Sequence, residues 1–311
     1  MRHPNGIETG NETLPAAGEA TSPSRRHLLQ AGAAALALGA VRLRMPALAG
    51  AQDVASPATD ICVMTPELDE GPFYLPLDLL RNDITERVPG LPLQLRIAVA
   101  DLAGGCGPLA NAAVDIWHCD AQGFYSGVVA EPGGGARDAA AAETGTFLRG
   151  IQMTDADGIA EFTTIYPGWY TGRAIHIHVK VHVGGTVEDL DLANPTDEGD
   201  YTGGHVSHTG QLFFEDAISD EVYDTFEAYG GRDNGERTRN DEDFILGDYA
   251  DEPGFMMGLT PLAEGAPENG FLGTITIGVD PAATPDPVGF GGFGDGLGPP
   301  PGVWPPPAGS G

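Results

Sequence analysis

Residues 174–183 read AIHIHVKVHV, and this alternation decides the fold class. In an extended strand, neighbouring side chains point to opposite faces. Ile177, Val179, Val181 and Val183 therefore share one face, and His176, His178, Lys180 and His182 share the other. The aliphatic face is a core face. The other must meet solvent, polar partners or a metal. Of the eight histidines in the chain, three stand on it.

Working outward, LQLRIAVADL (93–102), AAVDIWHCD (112–120), IAEFTTIY (159–166), GQLFFED (210–216) and GFLGTITIGV (270–279) read as further strands, set apart by Gly, Pro, Asp and Asn. DADG at 155–158 is a turn. Only SDEVYDTFEAYG (219–230) has a helical start, with Ser219 as N-cap and acids in the first turn. The fold class is all-β: a sandwich of mixed and antiparallel strands with long loops and one short helix.

The ends of the chain read differently. SRRHLLQ (24–30), the short apolar run AGAAALALGAV and PALAG have the layout of an export signal, and Arg25-Arg26 points to the twin-arginine route. Eleven apolar residues are too few to span a bilayer as a helix. Residues 280–311 are dominated by Gly and Pro and read as a disordered tail. The expected organisation is an export signal over 1–49, a linker over 50–60, one domain over 61–279 and the tail. Without the signal the chain keeps 10 basic against 42 acidic residues. Such a field repels nucleic acid and anionic membranes.

LPLQLRIAVADL and NAAVDIWHCD resemble the two arms of a hairpin, with Cys106 near its turn and Cys119 at the far end. About seven strand residues, roughly 20 Å, would separate these two cysteines, beyond the ~7 Å Cα reach of a disulfide. The geometry disfavours that pair and leans to Cys62–Cys106.

His-x-His on a strand sets two imidazoles side by side, as a metal site requires, although a merely polar outer face gives the same pattern. His182, four residues beyond His178, lies about 13 Å away and is not expected on the same ion. The nearest following acid, Glu188, is ten residues past His178, which does not match a cupin-type His-x-His site. His205 or His208 in GGHVSHTG could complete a three-histidine zinc site. The other available donors are phenols: Tyr170, six residues before His176, and Tyr125 in DIWHCDAQGFYSG. Two hard phenolates with two imidazoles favour a trivalent ion, Fe(III), over a divalent one.

TPELDEGPFY, AAVDIWHCDAQGFYSG, FLRGIQMTDADGIAEFTTIYPGWY, GRAIHIHVKV and TGQLFFED follow one another in the order seen in the intradiol ring-cleavage dioxygenases. The sequence resembles that family, catechol and protocatechuate 3,4-dioxygenases included, and in particular its secreted branch, over about residues 61–279. The resemblance implies a non-haem Fe(III) enzyme that cleaves catechol-type rings with O2 to cis,cis-muconate-type diacids, in aromatic compound catabolism. It also implies roles: Tyr125, Tyr170, His176 and His178 as metal ligands, Tyr170 also as a proton acceptor, Arg173 beside the reacting ring carbon, and Gln211 behind the ligands. The segment from Tyr170 to His176 is shorter than in protocatechuate enzymes, implying a different substrate-facing loop. A non-catalytic transthyretin-like or carboxypeptidase-regulatory-like module shares the sandwich but has no reason to bring the four donors together.

Overall fold

Strand β2 (Pro92–Asp101) shows how the sandwich is built. Leu93, Leu95, Ile97 and Val99 are all buried on one face, each worth about 1.5–3 kcal/mol when fully removed from water. On one side β2 pairs in parallel with β10 (Phe271–Val279) over nine residues. On the other it pairs antiparallel with β6 (Ile159–Ile165) and, at its end, with the short β3 (Gly107–Pro108). The edge strand β9 (Gly258–Pro261) lies beyond β10.

The computed structural model describes residues 63–128, 145–188, 199–230, 236–249 and 254–288. In its second sheet β5 (Arg149–Met153), β4 (Ala113–Trp117), β7 (His176–Glu188) and β8 (Gly199–Phe213) run antiparallel in that order. The two-residue β1 (Leu79–Leu80) pairs with both β5 and β8 and closes this sheet into a ring. Ile116, Ile177, Val179, Val181 and Leu212 face the β2 leucines across one shared core. The expected all-β, mixed-strand sandwich is therefore the observed class, and the aliphatic face of β7 is its core face.

Three local expectations change. The supposed hairpin does not form, because β2 and β4 lie in opposite sheets and meet face to face through side chains. Their core faces gain more by packing against each other than by lying side by side. The helix, α1, runs Asp216–Thr225, with Glu215 as its N-cap. Ser219 sits inside it, buried, its hydroxyl shared between the Glu215 carbonyl (3.0 Å) and the Tyr166 hydroxyl (2.7 Å). Finally, His205 and His208, whose glycine-flanked stretch GGHVSHTG reads as a loop, lie within β8.

Cys106 is disulfide-bonded, whereas Cys119 is a buried thiol that donates to the Gly168 carbonyl at 3.2 Å, so the two are not joined to each other. The expected partner Cys62, the export segment, the linker and the tail beyond 288 lie outside the described residues.

Candidate metal centre

The register of the second sheet sets Arg149, Trp117, His178 and Gln211 side by side in one row across β5, β4, β7 and β8. The face that carries them points away from the core yet is buried: His176 and His178 are only 2% and 1% exposed. Residues 65–74 cover it. Leu68 N–H donates to the Thr209 carbonyl at 2.9 Å, and Gln211 Nε2 donates to the Asp69 carbonyl at 2.7 Å. The covering strip sets the Phe73 ring on that of Tyr125 (4.6 Å between centroids) and Tyr74 against Trp117 (4.8 Å). Gly71, at φ +75°, passes so near His178 that a Cβ there would stand 3.0 Å from its Cε1. Positive φ and close approach together call for glycine.

Each tyrosine arrives on its own loop. After β4, Asp120 Oδ1 accepts from Gln122 N–H (2.9 Å) and Phe124 N–H (3.0 Å), a tight turn that delivers Tyr125. After β6, Gly168 N–H donates to the Asp120 carbonyl at 3.0 Å, joining the Tyr170 loop to the Tyr125 loop. A Cβ at Gly168 would stand 2.2 Å from that carbonyl oxygen, so only glycine permits the join.

The four side chains read from the sequence as ligands converge. His176 Nε2 lies 3.1 Å from Tyr170 Oη, 3.1 Å from His178 Nε2 and 3.5 Å from Tyr125 Oη. His176 Nδ1 lies 2.7 Å from the Ala174 carbonyl, which places the ring proton there and leaves Nε2 a lone pair. Burial, with the Arg173 charge second, lowers its pKa to about 3. Burial, with His176 second, holds His178 well below the usual imidazole range. One lone pair thus faces three groups, more than it can satisfy. A cation at the centre removes the conflict: bonds of about 2.0–2.2 Å to N and O donors leave neighbouring donors about 3.0–3.5 Å apart. Among the described residues no group of three or more His, Cys, Asp or Glu could hold an ion, and the further donors at this point are the two phenols.

Both phenols have raised pKa values: burial and then the neighbouring Tyr170 push Tyr125 well up, while for Tyr170 the Arg173 charge opposes burial and the value is about 12. Arg173 is anchored through Nε to Asp243 Oδ2 at 2.9 Å, and its Nη2 donates to Gln211 Oε1. Burial alone would lower the Arg173 pKa, but Asp243 overrides it and raises it, so the guanidinium stays charged. Gln211 thus bridges the covering strip and Arg173.

The other histidines stand apart. His182 Nε2 is 3.9 Å from Asp115 Oδ2, His208 Nδ1 bonds Glu67 Oε1 at 2.7 Å, and His205 Nε2 bonds the Pro281 carbonyl at 3.0 Å. Sequence reading missed Asp243, Asp69, Gly71, Trp117 and Arg149. Arg149 and Gly71 do lie in motifs already singled out, whereas Asp243 sits 70 residues from the arginine that it holds.

A family model described as Dioxygenase matches residues 70–186, a span that includes Tyr125, Tyr170, Arg173, His176 and His178. Catechol 1,2-dioxygenase 1 of Acinetobacter lwoffii is 32% identical over 123 residues, 38% of this chain and 36% of that protein, so the match spans only about a third of the relative. An intradiol ring-cleavage dioxygenase from Tetranychus urticae superposes with a TM-score of 0.57 at 25% identity, covering 73% of this chain and 98% of its own. A second solved dioxygenase gives 0.54 at 26% identity, covering 72% of this chain and 98% of that one. Motif order, sandwich and these matches agree on one likeness: the chain is similar to the intradiol ring-cleavage dioxygenases, in sequence over residues 70–186 and in fold.

Proposed function

We propose that this protein is an exported non-haem Fe(III) dioxygenase that cleaves catechol-type rings with O2 between the two hydroxylated carbons, giving cis,cis-muconate-type diacids. The observation that carries the reading is the convergence of two phenol oxygens and two imidazole Nε2 atoms on one buried point. The twin-arginine segment supports export.

Tyr125, Tyr170, His176 and His178 would hold the metal. When bound, the ferric ion supplies Lewis acidity to the catechol oxygens and the redox centre for ring cleavage. Two phenolates suit such a hard ion, and their loss of protons is what a buried cation favours. The rest falls to the chain. Of the two phenols Tyr170 takes the proton-acceptor role in this reading, because Phe73 stacks on the Tyr125 ring at 4.6 Å but meets the Tyr170 ring only edge-on at 6.2 Å. Its Oη can take one proton from a catechol hydroxyl. The Arg173 guanidinium, fixed by Asp243 and Gln211, is a preorganised positive charge for negative charge building on the ring. Because Gln211 also holds the Asp69 carbonyl, the covering strip and that charge are positioned as one unit.

The test is iron analysis and visible spectroscopy of protein matured in its native host, followed by aerobic turnover of a catechol panel. About one iron per chain, a visible tyrosinate band that weakens in Tyr125→Phe and Tyr170→Phe, and a muconate-type product are expected. Zinc at full occupancy with no visible band refutes the iron assignment, and a yellow hydroxymuconic semialdehyde as main product refutes intradiol cleavage.

A further inference from the structure

We propose that Arg149 is a positioning residue for Tyr125: it clamps the backbone beside that ligand and sets a fixed positive charge close to its ring. The inference rests on the ferric reading above.

Three observations carry it. First, Arg149 is buried, and its Nε donates to Ser126 Oγ at 2.9 Å while Nη2 donates to the Ser126 carbonyl at 2.7 Å. Ser126 Oγ in turn donates to the Phe147 carbonyl at 2.6 Å. The residue next to Tyr125 is therefore tied to β5 through the Arg149 guanidinium and to the segment leading into it through its own hydroxyl. Second, the Arg149 Cζ lies 5.9 Å from the Tyr125 ring centroid. Being in the same cross-strand row as Trp117 and His178, Arg149 reaches the site from the side opposite Arg173 and Gln211. Third, Leu148, immediately before Arg149, has φ +58° although it is buried, a conformation that bulky residues rarely adopt. Bonds from Leu148 N–H to the Ile84 carbonyl and from His118 N–H to the Leu148 carbonyl hold it there. Strain held by surrounding structure beside a site is the pattern expected where side-chain aim matters.

A hydrogen-bonding frame around a ligand orients it and tunes its donation. The nearby positive charge stabilises electrons on the phenolate, so removing it lowers the energy needed to move one to the metal. The tyrosinate band should then shift to longer wavelength. Of the remaining Arg149 donors, Nη1 has no hydrogen-bond partner among the described residues, and Arg149 lines a small cavity with Tyr74, Asp115 and Trp117. The clamp is thus made by one edge of the guanidinium, which a lysine cannot reproduce.

The experiment compares the full chain with Arg149→Met, Arg149→Lys and Ser126→Ala, following band position and iron release to a chelator. Arg149→Met should shift the band to longer wavelength and bind iron about 10- to 100-fold more weakly. Arg149→Lys should keep the band in place and release iron about tenfold faster. Ser126→Ala, which removes one prong, should release iron faster than wild type and more slowly than Arg149→Lys. A folded Arg149→Met variant with wild-type band and iron retention overturns the proposal. Should that variant not fold, Arg149→Lys decides, and wild-type iron release there overturns it. A wild-type protein with no iron and no visible band refutes the ferric reading itself, and this inference with it.

Discussion

Replacing Asp243 by Asn tests whether the charge beside the metal site is held in place by one buried carboxylate. The Asp243 side chain has no exposed surface. Its Oδ2 accepts from Arg173 Nε at 2.9 Å and Ala174 N–H at 2.6 Å, and its Oδ1 accepts from Ile245 N–H at 2.8 Å and Leu246 N–H at 2.9 Å. Asn offers one oxygen, so either flip turns an NH2 group toward two N–H donors. It also leaves the Arg173 charge buried without its counter-ion. Breaking a buried pair in this way costs about 3–5 kcal/mol, which lowers the melting temperature of a domain this size by about 10 °C. Turnover should fall as well, by up to about a hundredfold if the loose guanidinium counts as one lost stabilising donor. Burial would raise the Asp243 carboxyl, but Arg173 overrides it and holds the pKa below the ordinary 3.8. The unfolded chain therefore binds the proton first as pH falls. The stabilisation is complete above the unfolded pKa and is lost as pH drops through the lower folded one. The gap between wild type and variant should persist at pH 5 and above and close only in stronger acid. Thermal melts by circular dichroism at several pH values, with turnover at neutral pH, measure both. A variant melting within about 2 °C of wild type, with unchanged turnover, would refute the reasoning.

Three further outcomes are expected. His176→Ala and His178→Ala should each lose iron and activity, whereas His182→Ala, whose ring lies near Asp115, should keep both; iron loss in His182→Ala alone would show by metal analysis that the site is misplaced along β7. Gly71→Ala should weaken iron binding measurably, because its Cβ would press on His178 Cε1 from 3.0 Å at a positive φ that costs an L-residue about 1–2 kcal/mol; chelator competition reads the effect, and wild-type affinity would contradict it. His118 is buried with its pKa lowered to about 4, chiefly by burial, so between pH 6.5 and 4 the unfolded chain binds the extra proton and stability falls with pH. Removing this group in His118→Gln should flatten the acid side of the metal-free melting profile by up to about 3 kcal/mol, and an unchanged slope would exclude the assignment.

What could be read from the sequence follows the range of the forces involved. The alternation in β7 is local, so strand, core face and imidazole face were all legible in AIHIHVKVHV. The spacing that excludes His182 was legible for the same reason. Strand pairing was not: β2 and β4 look like a hairpin, and only the packing of two sheets decides that they face each other instead. The short strand at Arg149 lacks both length and alternation, and Leu148 before it takes a backbone conformation that no propensity favours. Ser219 misled because serine is favoured at N-caps, but here its hydroxyl bonds back to the Glu215 carbonyl and across to Tyr166. Asp243 carries no local signal at all, since its meaning lies in an arginine 70 residues earlier.

The site is therefore best understood as a consequence of register. A slip of one residue in β7 would exchange His178 for Val179 and send both imidazoles into the aliphatic core. The core face opposes that slip, because Ile177, Val179 and Val181 would have to leave a cluster in which each is fully buried. At about 1.5–3 kcal/mol for each side chain, exposing all three would cost about 4–9 kcal/mol, comparable with the whole stability of a typical domain. The irregularity in the β7–β8 ladder falls between Val181 and His182, beyond the last candidate ligand, so pairing from His176 to Val181 stays regular. The same hydrophobic residues that make β7 a core strand thus fix which way its histidines point, and the two loops joined at Gly168 and Asp120 then bring the phenols to meet them.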